Sequence, residues 1–230
     1  MHIDILTCFP DFFQPFLSYS IIKCAQNRGA VNISIHNIRD YSLKKHRKVD
    51  DYPYGGGSGL VMTVQPIYSC ITALERDRTY DEIIYMSPDG DLLNQHIVNE
   101  LVLKDNIMVL CGHYKGIDER VREHLITREV SIGQYVLSGG EIPACVLIDS
   151  IVRLIPGALH DSSSALNDSF QDDIIAPPVY SHPAIFNGWE VPAVLRSGNK
   201  AKIEEWERNQ SEIRTQKYNE KRKKASKDII

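Results

Sequence analysis

The chain has only five cysteines in 230 residues, and Cys8, Cys24, Cys70, Cys111 and Cys145 form an odd, scattered set with no C-x-x-C pair. That spacing excludes a disulfide framework or a zinc knuckle as the organising element. Long apolar runs are also missing. The stretch Ile142–Ile148 is far shorter than the ~20 residues a helix needs to cross a bilayer, and the N-terminus Met1-His2-Ile3-Asp4-Ile5 has no basic leader. A cytosolic protein without membrane contact is expected. Several chemical signatures are absent too. No G-x-G-x-x-G follows an apolar run, and Gly55-Gly56-Gly57-Ser58-Gly59 is not followed by the Lys-Ser/Thr of a phosphate-binding loop. There is no H-E-x-x-H and no G-x-S-x-G. Dehydrogenase, kinase, zinc-hydrolase and serine-esterase readings are therefore disfavoured.

What is present is an ordinary water-soluble composition, 43% hydrophobic and 24% charged, with a net charge of −4. The charge is unevenly spread. From Arg196 onward eleven Lys/Arg face six Asp/Glu, a local balance of +5, which leaves −9 on residues 1–195. The runs Lys44-Lys45-His46-Arg47-Lys48 and Lys217-Tyr218-Asn219-Glu220-Lys221-Arg222-Lys223-Lys224 read by default as solvated or frayed helix faces. Two such runs in an acidic protein nonetheless raise the expectation of nucleic-acid contact.

Periodicity gives the fold class. The first residues and Val31–His36 alternate apolar with polar residues, as half-exposed strands do, and Phe16–Arg28 fits a helix that ends at Gly29. Pro66 opens a helical pattern carrying Ile67, Cys70, Ile71 and Leu74 on one face. The short apolar runs Ile83–Met86, Ile107–Cys111 and Glu129–Ile132 follow, each closed by a Gly- or Pro-containing loop and each succeeded by a helical pattern. Strands alternating with helices predict an α/β fold with a mostly parallel sheet. Near His160 the periodicity stops, and Asp161–Ser169 has linker composition. Beyond it Pro177, Pro178, Pro183 and Pro192 forbid long helices until the segment around Ile203–Tyr218. The expected organisation is a main domain over 1–160, a linker over 161–175 and a small, mainly helical domain over 176–230.

Ligands of open α/β sheets bind beyond the carboxyl ends of strands, where loops converge. Three consecutive strand ends carry unusual loops: Met86-Ser87-Pro88-Asp89-Gly90, Cys111-Gly112-His113-Tyr114-Lys115-Gly116, and Ile132-Gly133-Gln134-Tyr135-Val136-Leu137-Ser138-Gly139-Gly140-Glu141. Each alone reads as a turn, whereas three in succession read as a binding site. With no pyrophosphate cradle, the fitting cofactor lacks phosphates and is held by backbone groups and glycine turns.

The segments His46-Arg47-x-Val49-Asp50-Asp51-x-Pro53-Tyr54-Gly55-Gly56-Gly57-x-Gly59, Cys111-Gly112-x-Tyr114-x-Gly116-Ile117-Asp118-Glu119-Arg120, Ser131-Ile132-Gly133-x-Tyr135-Val136-Leu137-Ser138-Gly139-Gly140-Glu141 and Asp168-Ser169-Phe170 closely resemble the TrmD family. These are bacterial tRNA (guanine-N1-)-methyltransferases of the SPOUT class, and the resemblance fades only in the last dozen or so residues. It implies transfer of a methyl group from S-adenosylmethionine to N1 of guanosine 37 of tRNA. It further implies a deep trefoil knot as the cofactor site and a homodimer with active sites at the subunit interface. By the same resemblance Tyr85, Met86, Ser87, Pro88 and Gly90 border the adenosine pocket, and Gly112 contacts the cofactor. Ile132, Gly133, Gln134, Tyr135, Val136 and Leu137 hold adenine and ribose, while Gly139, Gly140 and Pro143 shape the turn around the methionine part. Asp168 is the implied base and Arg153 its partner.

The chemistry of that last pair can be argued on its own. Guanine N1 carries a proton, so methylation there needs proton removal, and a positioned carboxylate can do it. An Arg with fixed donors suits the charge that develops on guanine O6. Read without the resemblance, Asp168 is a turn or helix-cap residue and Arg153 a helix C-terminal cation, and Asp118-Glu119-Arg120 has the look of a helix start. The chain also departs from the family pattern. His113 and Lys115 stand where Arg and Glu are usual, Gln134 where Asp is common, and Tyr52 and Ser58 replace Arg and Pro in the glycine-rich loop. The lost acids put a magnesium cofactor in question, and Lys115 is expected to supply positive charge in its place. The competing readings are a related knotted methyltransferase with another target nucleotide and a catalytically silent RNA-binding dimer.

Overall fold

The computed structural model describes residues 1–158 and 168–227. The chain divides into two compact units, Met1–Ser162 and Ser163–Ile230. Of the expected linker over 161–175, residues 161–167 fall outside the described residues.

The first unit is built on a five-stranded, wholly parallel sheet. Its strands are β1 (His2–Thr7), β2 (Asn32–Asn37), β5 (Glu82–Leu92), β6 (Asn106–Cys111) and β7 (Arg128–Ser131), in the order β2-β1-β6-β5-β7. Two short strands, β3 (Asp50–Asp51) and β4 (Val61–Met62), form an antiparallel pair flanking the glycine-rich stretch. The helices are α1 (Phe13–Leu17), α2 (Ser20–Asn27), α3 (Val64–Glu75), α4 (Gln95–Leu101), α5 (Glu119–Leu125) and α6 (Glu141–Val152).

Strand side chains alternate between two cores because the strand period is two. Ile3, Ile5, Ile84, Met86, Ile107, Val109 and Cys111 face one side, against Ile97 and Leu101 of α4 and Ala144, Leu147, Ile148 and Ile151 of α6. Leu6, Ile83, Tyr85, Met108 and Leu110 face the other, against Ile67, Cys70 and Ile71 of α3 and Val121 of α5. Each fully buried Ile or Leu contributes about 1.5–3 kcal/mol, which fixes the register of every strand.

Three local expectations are corrected. β1 is not half-exposed: it runs second in the sheet with Asp4 and Thr7 buried along with its apolar residues. Its polar positions are accommodated by partners instead of water, since Asp4 accepts from Tyr80 Oη at 2.6 Å and Arg78 Nη1 at 3.0 Å and lies 2.7 Å from His36 Nε2. Phe16–Arg28 is not one helix. Ser18 Oγ donates to Gln14 O at 2.6 Å, Ser20 adopts φ +53°, and the chain breaks into α1 and α2 before ending at Gly29 with φ +70°. Met86–Gly90 is not a free loop but part of β5, which changes register against β7 between Met86 and Asp91. Gly90 permits the close approach of β5 to β7 at that register shift, because a Cβ there would lie 2.6 Å from the Glu129 carbonyl carbon and Val130 nitrogen.

The second unit carries a long helix, α7 (Lys200–Lys227), and a small hairpin of β8 (Ile185–Phe186) and β9 (Trp189–Glu190). α7 begins three residues before Ile203 and runs nine residues past Tyr218. An extended segment packs on it. Phe170 meets Tyr218 at a ring separation of 5.4 Å, Tyr180 meets Trp206 at 6.3 Å, and Ile175 N–H donates to Thr215 Oγ1 at 2.9 Å. Among the described residues no helix is long and apolar enough to cross a membrane.

Candidate active site

The C-terminal ends of three neighbouring strands, β6, β5 and β7, open into one cavity of about 310 Å³. That size lies within the range of small-molecule sites. Tyr85, Met86, Ser87 and Pro88 of β5 line it, as do Gly112 after β6 and Ile132, Gly133, Tyr135, Val136 and Leu137 after β7. Gly139, Gly140 and Pro143 close it at the start of α6. Gly90 and Gln134 are not in its wall; Gly90 lies at the register shift of β5 against β7.

The loops are welded to each other by backbone. Gly140 N–H donates to Gly112 O at 2.8 Å, and His113 pairs with Gly139 as an antiparallel bridge. No side chain fits between them: a Cβ on Gly140 would lie 2.8 Å from Cys111 Cα and 2.9 Å from Gly112 N. A Cβ on Gly112 would meet the Tyr85 ring at 2.8 Å. Ser131 Oγ lies 3.0 Å from both Pro88 O and Gly133 O, tying the β7 loop to β5. The glycines of this motif are therefore packing requirements of the cavity wall.

Beneath the wall runs a buried polar connection. Thr7 Oγ1, at the end of β1, donates to Glu141 Oε1 at 2.7 Å, and Glu141 Oε2 lies 2.9 Å from His113 Nε2. Glu141 is only 5% exposed. The His113 ring meets the Phe9 ring at 4.6 Å, tilted by 54°. Burial, reinforced by the Glu141 charge, holds the neighbouring Cys111 thiol well above its usual pKa, so it stays neutral.

A second charged group borders the cavity beside Tyr85. Arg122 forms a fork with Glu129 at 2.8 and 2.7 Å, reaches Asp89 at 2.9 Å and Glu119 at 3.5 Å, and sits 5.8 Å over the Tyr85 ring. The Ser87 hydroxyl donates to Asp89, and this contact together with Arg122 holds the Asp89 carboxyl below its ordinary pKa. Burial pushes the Tyr85 phenol up to about 12, against the pull of Arg122. Arg122 and Val130 are wall residues that the sequence does not single out, and Glu119, which reads in the sequence only as part of a helix start, also lines the wall. Their signal was weak: Glu119 and Arg122 at i,i+3 on a helix look like any surface pair. Asp118 is a helix cap, accepting from Arg120 N–H at 3.1 Å.

Lys115 also lines the cavity. Its N–H donates to Leu60 O at 3.0 Å, Gly116 O accepts from Met62 N–H at 3.0 Å, and Ile117 bridges Met62 in parallel. The glycine-rich stretch thus leads directly into the cavity rim.

Arg153 is the half-buried residue that closes α6, its N–H donating to Asp149 O at 3.2 Å. It belongs to the first unit, whereas half-buried Asp168 belongs to the second. The residues after Asp168 are firmly built in. Ser169 Oγ accepts from Ala176 N–H at 3.0 Å, and Phe170 N–H donates to Ile174 O at 2.7 Å.

Comparison with known proteins places this arrangement. The family model described as "tRNA (Guanine-1)-methyltransferase TrmD" matches residues 1–224. A tRNA (guanine-N(1)-)-methyltransferase of Bacteroides thetaiotaomicron is 55% identical over 217 residues, covering 94% of this chain and 96% of the relative. One from Flavobacterium psychrophilum is 56% identical over 206 residues, covering 90% and 92%. The crystal structure of the tRNA (m1G37) methyltransferase from Aquifex aeolicus superposes with a TM-score of 0.75 at 35% identity, covering 90% of this chain and 87% of that one. A parallel sheet whose strand ends build a glycine-walled cavity, matched over nearly the full length, shows that the chain belongs to the TrmD family of tRNA (guanine-1)-methyltransferases.

Proposed function

We propose that this protein transfers a methyl group from S-adenosylmethionine to N1 of the guanosine at position 37 of tRNA. The observation that carries this reading is the single cavity at the ends of β5, β6 and β7, walled by glycine backbone in a chain of this family. S-adenosylmethionine fits such a wall. It has no phosphates to neutralise, and its base and ribose suit the backbone of the Ile132–Leu137 loop, packed between the tight glycine turns at Gly112 and Gly139–Gly140. When bound, it supplies a methyl group on a sulfonium, activated for attack by a ring nitrogen.

In this reading Ile132 to Leu137 hold the adenosine, with Tyr85 to Pro88 opposite, and the knotted threading of the family shapes the pocket. Asp168 accepts the N1 proton of guanine as the nitrogen attacks. Arg153 donates to O6 and carries the charge that develops there. The enzyme acts in the cytosol as a homodimer. The exposed apolar pair Ile142 and Val146 on one face of α6, with Val136 and Leu137 beside the cavity, supports a partner surface there. The second unit, with its basic α7, serves tRNA binding.

The test is labelled-methyl transfer to an unmodified tRNA with guanosine at position 37, beside the same tRNA carrying adenosine there. Label in the guanosine substrate alone, recovered as N1-methylguanosine, is expected. Transfer to both, or to neither despite cofactor binding, overturns the assignment.

A further inference from the structure

Every charged side chain in the cavity wall has a counter-ion except one. Arg122 is engaged by Glu129, Asp89 and Glu119, and His113 by Glu141. Among the described residues Lys115 lines the same cavity without an ion pair. Its position is nevertheless set. A Cβ on Gly59 would lie 3.1–3.3 Å from Cε, Cγ and Cδ of Lys115, so the lysine stem runs along the bare backbone of Gly59. The Lys115 N–H is fixed to Leu60 O at 3.0 Å. Gly59 has φ +91°, a conformation that glycine adopts freely.

The acids that line the cavity do not fit a magnesium site. Asp89 and Glu119 are both committed to Arg122, and Glu141, beneath the wall, is committed to Thr7 and His113. Among the described residues no three metal-ligating side chains converge. A free ammonium on the rim would itself repel a divalent cation.

We infer that Lys115 is the anchor for the carboxylate of the cofactor's amino-acid tail, with Gly59 as the residue that positions it. This rests on the proposed use of the cavity for S-adenosylmethionine. The Ile132–Leu137 side offers backbone and apolar surface suited to a base, while the His113–Gly116 side carries charge. The tail bears the cofactor's only anionic group, and Lys115 is the unpaired cation at that charged side. The glycine-rich stretch thereby acquires a role in cofactor recognition as the support of the lysine stem.

The experiment is calorimetric titration of the full chain, without tRNA and in EDTA, with S-adenosylmethionine and with decarboxylated S-adenosylmethionine. The wild type is expected to favour the carboxylate-bearing ligand by about tenfold, the weight of one charge-assisted contact at a partly exposed site. Lys115→Met removes that preference and leaves affinity for the decarboxylated ligand unchanged, Lys115→Arg keeps most of it, and Gly59→Ala reduces it. Equal loss for both ligands, or no loss for either, overturns the assignment. Wild-type binding that appears only when magnesium is added overturns it as well. Failure of the wild type to bind either ligand under any condition removes the cavity reading itself, and Lys115 with it.

Discussion

Thr7 and Glu141 lie 134 positions apart in the chain, yet their side chains meet at 2.7 Å beneath the cavity floor, with His113 at 2.9 Å on the other carboxylate oxygen. Glu141 is the first residue of α6, directly after the glycines that turn the chain. One buried carboxylate therefore joins the end of β1, the loop after β6 and the start of α6.

Glu141→Ala leaves the Thr7 hydroxyl and the His113 ring without their buried partner. The expected cost is about 1–3 kcal/mol, and weaker binding of S-adenosylmethionine should accompany it because the His113–Gly139 bridge loses its support. Thermal unfolding and cofactor titration of the same variant check both parts. A variant with unaltered melting temperature and affinity would show that the three groups are not coupled.

Gly140→Ala and Gly56→Ala separate packing from backbone freedom. At Gly140 the new Cβ would sit 2.8 Å from Cys111 Cα, and backbone must move. At Gly56 nothing lies within 4 Å, and the cost is the φ of +80° alone. Gly140→Ala should abolish cofactor binding, and Gly56→Ala should lower stability by about 1–2 kcal/mol with binding retained. Equal effects of the two substitutions on binding would contradict this.

The fold class was legible because it rests on periodicity. Ile107–Cys111 is a continuous apolar run too short for a buried helix and closed by Gly112, which reads as a strand covered on both faces, and its residues do divide between the two cores. β1 misled because its alternation is chemically real while its polar members are buried: Asp4 is satisfied by Tyr80, Arg78 and His36, partners up to 76 residues away that no local window contains. The cavity wall was legible through its glycines and the family resemblance. The charge pairing was not. That Arg122 is spent on Glu129 and Asp89 while Lys115 has no ion pair among the described residues depends on how β5, α5 and β7 are packed, which sequence spacing does not encode.

Asp4 gives a pH signature for the scaffold. Burial raises its pKa, but the His36 and Tyr80 contacts and the Arg78 charge outweigh burial and hold it below its ordinary value. A carboxyl depressed in the folded state stabilises fully above its unfolded value of ~3.9 and loses that contribution as pH falls through the folded value. Asp4→Asn should therefore cost about 1.5–3 kcal/mol at neutral pH, with the gap to wild type closing under acid conditions below pH ~4. Denaturant melts across pH measure it, and a gap independent of pH would contradict the assignment.

The most direct test of the account is the single-turnover rate of methyl transfer to guanosine-37 tRNA by Asp168→Ala, measured with cofactor affinity determined separately. If Asp168 takes the N1 proton, the rate falls by about 10²–10⁴-fold while S-adenosylmethionine binds as in the wild type. A near-wild-type rate would show that the proton leaves by another route and would remove Asp168 from the mechanism.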